Sequence, residues 1–393
     1  MKRIIRKNPD GTNTGSFIRS DFPKNFYWGS ATSSHQIEGN NWNDWTRWEL
    51  SEKRVSELKK KGLNPRDFYS GKAADSYNLY SLDFAFAKRF GHNSVRISIE
   101  WSRIEPEEGW FNQKEIDHYI SVIDSALSNG LEPFVTLWHF TNPIWFADKG
   151  GWTNSKSVEY FNRYAQKVVS ALKGRVKFYM TLNEPIVSMN QSYLTATWPP
   201  NKRNPVLWYL GVKNMIAAHN VASQSMKLID PTLQISIAQH MVWSKVFKDT
   251  WFNRQQKKFV DYFMNDYFIN GVLENIDYLG INYYFWNPIG IDKSEREIIT
   301  KNDLGWDLVP EGLYQLVKNS MKFNKPMYIT EHGLADADNT RRPLYIKESL
   351  DLLKKTINEG ADVRGYLHWS LIDNFEWAEG FAPRFGLVEI AYD

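Results

Sequence analysis

The chain has 393 residues, 42% hydrophobic and 24% charged, an ordinary globular composition in a chain long enough to bury a large core without staples. Its formal net charge of +3 gives no reason to expect nucleic acid or an acidic membrane surface as partner. Cysteine is absent, which excludes disulfides, thiolate metal sites and cysteine nucleophiles.

Residues 1–20 are polar throughout and read as a loose N-terminal arm with no apolar secretory core. No run of about 18 apolar residues suggests a membrane span, so a soluble cytoplasmic protein is expected. Basic clusters such as Lys59-Lys60-Lys61 read as solvated surface. No Pro/Gly/Ser-rich linker divides residues 21–393, which are expected to form one domain.

From there, short β-prone runs alternate with helical patterns. The runs are 25–32, 94–101, 132–140, 176–185, 234–241, 278–285, 326–333 and 365–371. Between the first two, Tyr77, Tyr80, Phe84, Ala87 and Phe90 recur at spacings of three and four, the period of one helical face. Eight strand–helix units predict an α/β fold, a (β/α)8 barrel. An open doubly wound sheet would be marked by a Gly-rich phosphate turn after a strand, and none is present.

Barrels of this kind place chemistry at the C-terminal strand ends. In chain order these ends carry Gln36 and Glu38; Arg96 and Glu100; Trp138-His139; Asn183-Glu184-Pro185; Gln239-His240; Asn282, Tyr283 and Tyr284; Glu331-His332-Gly333; and His368-Trp369, then Glu376-Trp377. One polar group at a strand end means little, but a set around the whole ring is hard to explain as core packing. The 17 Trp, 20 Tyr and 23 Phe supply the core and also faces on which sugar rings stack. Glu184 and Glu331 each follow apolar strand and would project into one mouth from strands four and seven, read as facing each other across the ring. An acid on one side of a sugar and a carboxylate on the other is what glycoside hydrolysis needs.

The segments Ala31-Thr-Ser-Ser-His-Gln-Ile-Glu-Gly39, Val95-Arg-Ile-Ser-Ile-Glu-Trp-Ser-Arg-Ile104, Thr136-Leu-Trp-His139, Thr181-Leu-Asn-Glu-Pro185, Gly280-Ile-Asn-Tyr-Tyr284, Ile329-Thr-Glu-His-Gly333 and His368-Trp-Ser-Leu-Ile-Asp-Asn-Phe-Glu-Trp377 stand in one order. In that order the chain resembles family 1 of the glycoside hydrolases, the β-glucosidase family, from about residue 22 onward. The resemblance implies a retaining β-glycosidase acting on terminal β-D-glucosides, and on galactosides or fucosides, through a covalent glycosyl-enzyme without cofactor or metal. Glu184 matches the acid/base and Glu331 the nucleophile, with Arg96 and Tyr284 supporting the nucleophile. Gln36, His139, Asn183 and Glu376 match groups that hydrogen-bond sugar hydroxyls. Trp369 and Trp377 match the stacking platform and its polar neighbour, and Trp306 the aglycone-side aromatic. The expected partner is a small β-glycoside or short oligosaccharide.

Four departures from the family pattern stand out. His332 replaces the usual Asn after the nucleophile, and His35 the usual Tyr before Gln36; both are expected to shift specificity or pH optimum. The stretch between strands five and six is short, which predicts a more open mouth. The chain stops at Asp393 where the family continues into a final helix, which predicts lower stability. The alternatives are a 6-phospho-β-glycosidase, which the acidic Glu376 argues against, and a catalytically impaired sugar-binding barrel, which the two intact carboxylates argue against. A metal-dependent barrel would want clustered histidines, and the eight here are scattered.

Overall fold

The computed structural model describes residues 1–6 and 21–392. Its strands are β1 (Lys2–Ile5), β2 (Tyr27–Ala31), β3 (Ser94–Ser98), β4 (Glu132–Trp138), β5 (Phe178–Asn183), β6 (Gln234–His240), β7 (Trp243–Val246), β8 (Leu279–Tyr283), β9 (Trp286–Ile289), β10 (Met327–His332), β11 (Val363–Trp369) and β12 (Val388–Ala391). Eight of them close a parallel barrel in the order β2, β3, β4, β5, β6, β8, β10, β11, so all eight runs read from the sequence are barrel strands.

Helices pack outside. Helix Ser76–Arg89 buries Phe84 and Ala87 from the apolar face seen in the sequence. Helix Gln113–Ser128 starts where the Asn112 side chain accepts from Lys114 N at 3.1 Å, and it buries Ile116, Tyr119, Ile123 and Ala126. These faces join the outer strand faces in one large core. A second core fills the barrel interior. Phe134 and Phe178 stack with centroids 4.3 Å apart, Tyr27 meets both edge-on, and Tyr328 closes the group. A filled interior leaves only the C-terminal mouth for chemistry.

Two expectations are corrected. The arm is not loose over its first residues: β1 pairs antiparallel with β12, and Arg3 makes a buried ion pair with Asp83. Residues 7–20 of the expected arm lie outside the described residues. The second correction concerns the ring. Strands four and seven (β5 and β10) are not opposite; on the shorter arc only β6 and β8 separate them. The segment between β6 and β8 carries a strand, β7, which pairs in parallel with β9.

After β11 the described chain runs through a single helical turn, Trp377–Glu379, into β12. Among the described residues no helix is long and apolar enough to cross a membrane.

Candidate active site

Glu184 follows the last residue of β5. Its backbone is left-handed, with φ at 43°, and its N–H donates to Ala238 O on β6 at 2.7 Å. A side-chain-bearing residue is held there only by its surroundings, and such positions cluster at functional sites. Pro185 then opens helix Pro185–Tyr193 at a position that needs no N–H. Glu331 lies within β10, where the register shifts between Ile329 and Glu331 against β8. Gly333 follows closely: a Cβ there would come within 1.8 Å of Trp369 O, so only glycine lets this loop lie against β11.

One network joins the two carboxylates. Arg96, fully buried on β3, pairs directly with Glu331, donates Nη2 to Asn183 Oδ1 at 2.6 Å and is braced by Nε on Thr136 Oγ1 at 3.0 Å. Tyr284 Oη donates to Glu331 Oε2 at 2.6 Å. Asn183 Nδ2 lies 3.0 Å from His139 Nε2. Asn282 on β8 donates Nδ2 to Glu184 Oε1 at 2.7 Å, and its Oδ1 accepts from Thr330 Oγ1 at 2.6 Å.

The two carboxyls therefore sit in different fields. Burial, then the charge of Glu331, pushes the Glu184 pKa well above the usual carboxylate value, with only Asn282 and the more distant Arg96 opposing. Burial also raises Glu331, but Arg96 and the Tyr284 hydroxyl pull it back. Of the pair, Glu184 keeps the proton. Burial, helped by Glu331 and Glu379, raises Glu376 to about 8. Burial and Arg96 hold the His139 imidazole neutral, well below its ordinary value.

These groups surround a cleft of about 390 Å³. Of the residues read from the sequence, His139, Asn183, Glu184, Tyr284, Trp306, Glu331, Trp369, Glu376 and Trp377 line it. The His139 ring lies nearly parallel to Trp369 and Trp377, 5.9 Å from each. Arg96 and Gln36 are not in the wall. Gln36 reaches the cleft through Glu376, donating Nε2 to its Oε2 at 3.3 Å and to Phe375 O at 2.9 Å. Trp306 stands half-buried against Phe285, 5.5 Å away.

Several wall residues were not singled out from the sequence: Trp198, Met264 and Phe285 among them. Asn282 and His240 were noted only as polar strand ends.

The two histidine departures lie outside the cleft lining. His332 turns to the outer face, as strand alternation requires beside Glu331; its Nδ1 lies 2.8 Å from Tyr366 Oη and burial lowers its pKa to about 3. His35 lies 2.9 Å from Glu49 Oε1; burial lowers its pKa, but the carboxylates of Glu49, Glu100 and Asp44 together raise it overall.

The profile of glycosyl hydrolase family 1 matches residues 18–278 and 249–393, nearly the whole chain. The chain belongs to that family. Beta-glucosidase A of Thermotoga maritima is 31% identical, over 94% of this chain and 93% of its own length. Among solved structures, a beta-glycosidase from Pyrococcus horikoshii superposes with a TM-score of 0.85 at 35% identity, covering 94% of this chain and 90% of that one. The beta-glucosidase from Thermotoga maritima in complex with glucoimidazole gives 0.85 at 29% identity, covering 94% of each. This family 1 protein is a glycoside hydrolase of the β-glucosidase type, and retention is general to its family.

Proposed function

We propose that the protein hydrolyses terminal, unphosphorylated β-D-glucosides by double displacement, with Glu184 as acid/base and Glu331 as nucleophile. The observation that carries this assignment is the asymmetry of the pair. Glu331 alone has a guanidinium and a phenol bonded to it, whereas Glu184 is bonded to a neutral amide.

Glu331 attacks the anomeric carbon while Glu184 gives its proton to the departing oxygen; the C1–O bond breaks and a glucosyl ester forms on Glu331. Esterification removes the charge that raised Glu184, so its pKa falls and it takes a proton from the attacking water. Water adds to C1, the ester breaks, and Glu331 returns as carboxylate.

His139, Asn183 and Glu376 would bind the glucose hydroxyls, with Gln36 acting through Glu376, and Trp369 would lie beneath the ring. Among the described residues no Lys or Arg lines the cleft, and Glu184, Glu331, Glu376 and Glu379 do, which favours a neutral sugar over a phosphorylated one. At neutral pH Glu376 is largely protonated in the free protein, so its repulsion of phosphate grows only toward pH 8 and above.

Hydrolysis of nitrophenyl β-glucoside by the parent and by Glu331→Ala tests this. Turnover is expected from the parent and loss from the variant; full turnover in both would sink the nucleophile assignment.

A further inference from the structure

The short arc between the two carboxylates is built by β6 and β8, and each carries a polar side chain at the level of Glu331, His240 as the last residue of β6 and Asn282 as the last but one of β8. His240 pairs in register with Asn282, and Asn282 with Glu331. Asn282 is fully engaged through its oxygen and nitrogen. His240 is not: it is 3% exposed, and neither ring nitrogen has a hydrogen-bond partner. Its Nδ1 lies 3.8 Å from Glu184 Oε1, the same oxygen that Asn282 holds.

The surroundings of this imidazole are fixed. Gln239 Nε2 donates to Met264 O at 2.8 Å on one side. On the other, Met241 N donates to Asn282 O at 3.0 Å, and the Asn265 side chain bonds Val242 N and O at 2.8 and 2.9 Å. The ring is nearly parallel to Tyr284, 6.1 Å away, and 4.9 Å from Phe285. A buried ring with two unmet nitrogens costs stability, and such exceptions call for an explanation. Here a carboxyl lies 3.8 Å away, and in the proposed reaction it gains a full charge.

We propose that His240 is a positioning residue for Glu184: its Nδ1–H turns onto the carboxylate left when Glu184 has protonated the leaving group, and holds it until water returns a proton. This rests on the acid/base reading of Glu184. The imidazole stays neutral throughout, since burial lowers its pKa to about 4, and no proton passes to it. The other charged or titratable groups acting on Glu184 are Glu331, Arg96 and Glu376, with the Tyr284 phenol beside Glu331. None of them reaches Glu184 with a donor, which leaves Asn282 and His240 for that task.

The experiment compares the parent, His240→Phe, His240→Asn and Glu184→Gln. With dinitrophenyl β-glucoside, whose leaving group needs no acid, His240→Phe should lower kcat about tenfold through the water step while kcat/KM stays within about twofold. With a poor leaving group, the alkaline limb of kcat/KM should rise by roughly half a unit or more, because ionised Glu184 has lost a donor. His240→Asn, whose amide sits where Nδ1 was, should restore both quantities. An unmoved limb and unchanged kcat in His240→Phe, with Glu184→Gln impaired, would overturn the inference alone. Full activity in Glu184→Gln would overturn the acid/base reading and this inference with it. If His240→Phe does not fold, His240→Leu reads the same two quantities.

Discussion

Asn282 Nδ2 donates to Glu184 Oε1 at 2.7 Å, while its own oxygen accepts from Thr330, the residue before Glu331. One amide thus couples the Glu184 carboxyl to the strand that carries Glu331. Asn282→Ala removes a donor that lowers the Glu184 pKa, so the alkaline limb of kcat/KM should move up and kcat should fall about tenfold or more. A limb that stays in place would show that Asn282 does not act on Glu184. Asn282→Asp puts a third negative charge beside the pair, and its limb should rise further than that of the alanine variant.

Tyr284 acts on the other carboxylate with the same sign. Its hydroxyl bonds Glu331 and holds that pKa down, so Tyr284→Phe should raise the acid limb of kcat/KM. Activity should fall about tenfold below the limb and recover as pH rises, because a higher pH restores the ionised Glu331 that the proposed mechanism needs. An equal loss at every pH would point to a packing fault instead.

Strand order and the ends of strands four and seven were legible because apolar runs, turns and carboxylates stand in chain order. What was not legible depends on closure. Chain order in a ring of eight already puts strands five and six on the short arc between Glu184 and Glu331, but it does not show which of their side chains reach the carboxyls, so the roles open to Asn282 and His240 stay hidden. Nor does it pair Lys2–Ile5 with Val388–Ala391 at opposite ends of the chain. The side-chain direction of His332 follows from alternation about Glu331, and reading it would have removed that histidine from the list of specificity determinants. Gln36 matches the family motif, yet it stands behind Glu376, a contact that local pattern cannot show.

Stability should peak near pH 6.5 and fall on both sides. Burial holds His118, His219 and His240 at about 4 and His332 at about 3. Below about 6.5 the unfolded chain therefore binds more protons, and stability drops as pH falls. Glu38 is raised to about 7 and Glu376 to about 8, mainly by burial. These two hold protons in the folded state that the unfolded chain has released, so their stabilisation is lost progressively as pH rises from the ordinary carboxylate value of 4.5 and is gone once it has passed 7 and 8. Tm measured from pH 5 to 9 should show this dome. Glu376→Gln should flatten its alkaline side, and an unchanged alkaline slope would remove Glu376 from the account.

Gly333→Ala should damage both stability and activity. The new Cβ would meet Trp369 O at 1.8 Å, backbone against backbone, with no flexible side chain to give way. Either β11 or the loop after Glu331 must move, at a cost of about 2 kcal/mol or more, and a shift of the loop carries Glu331 with it. Gly62→Ala is the control. Unlike Gly333 it has a left-handed backbone, with φ at 72°, but nothing within 4 Å, so it should cost about 1 kcal/mol from the backbone alone and leave kcat untouched. Equal Tm losses in the two variants, with parental kcat in both, would mean that the approach of Gly333 to Trp369 does not position Glu331.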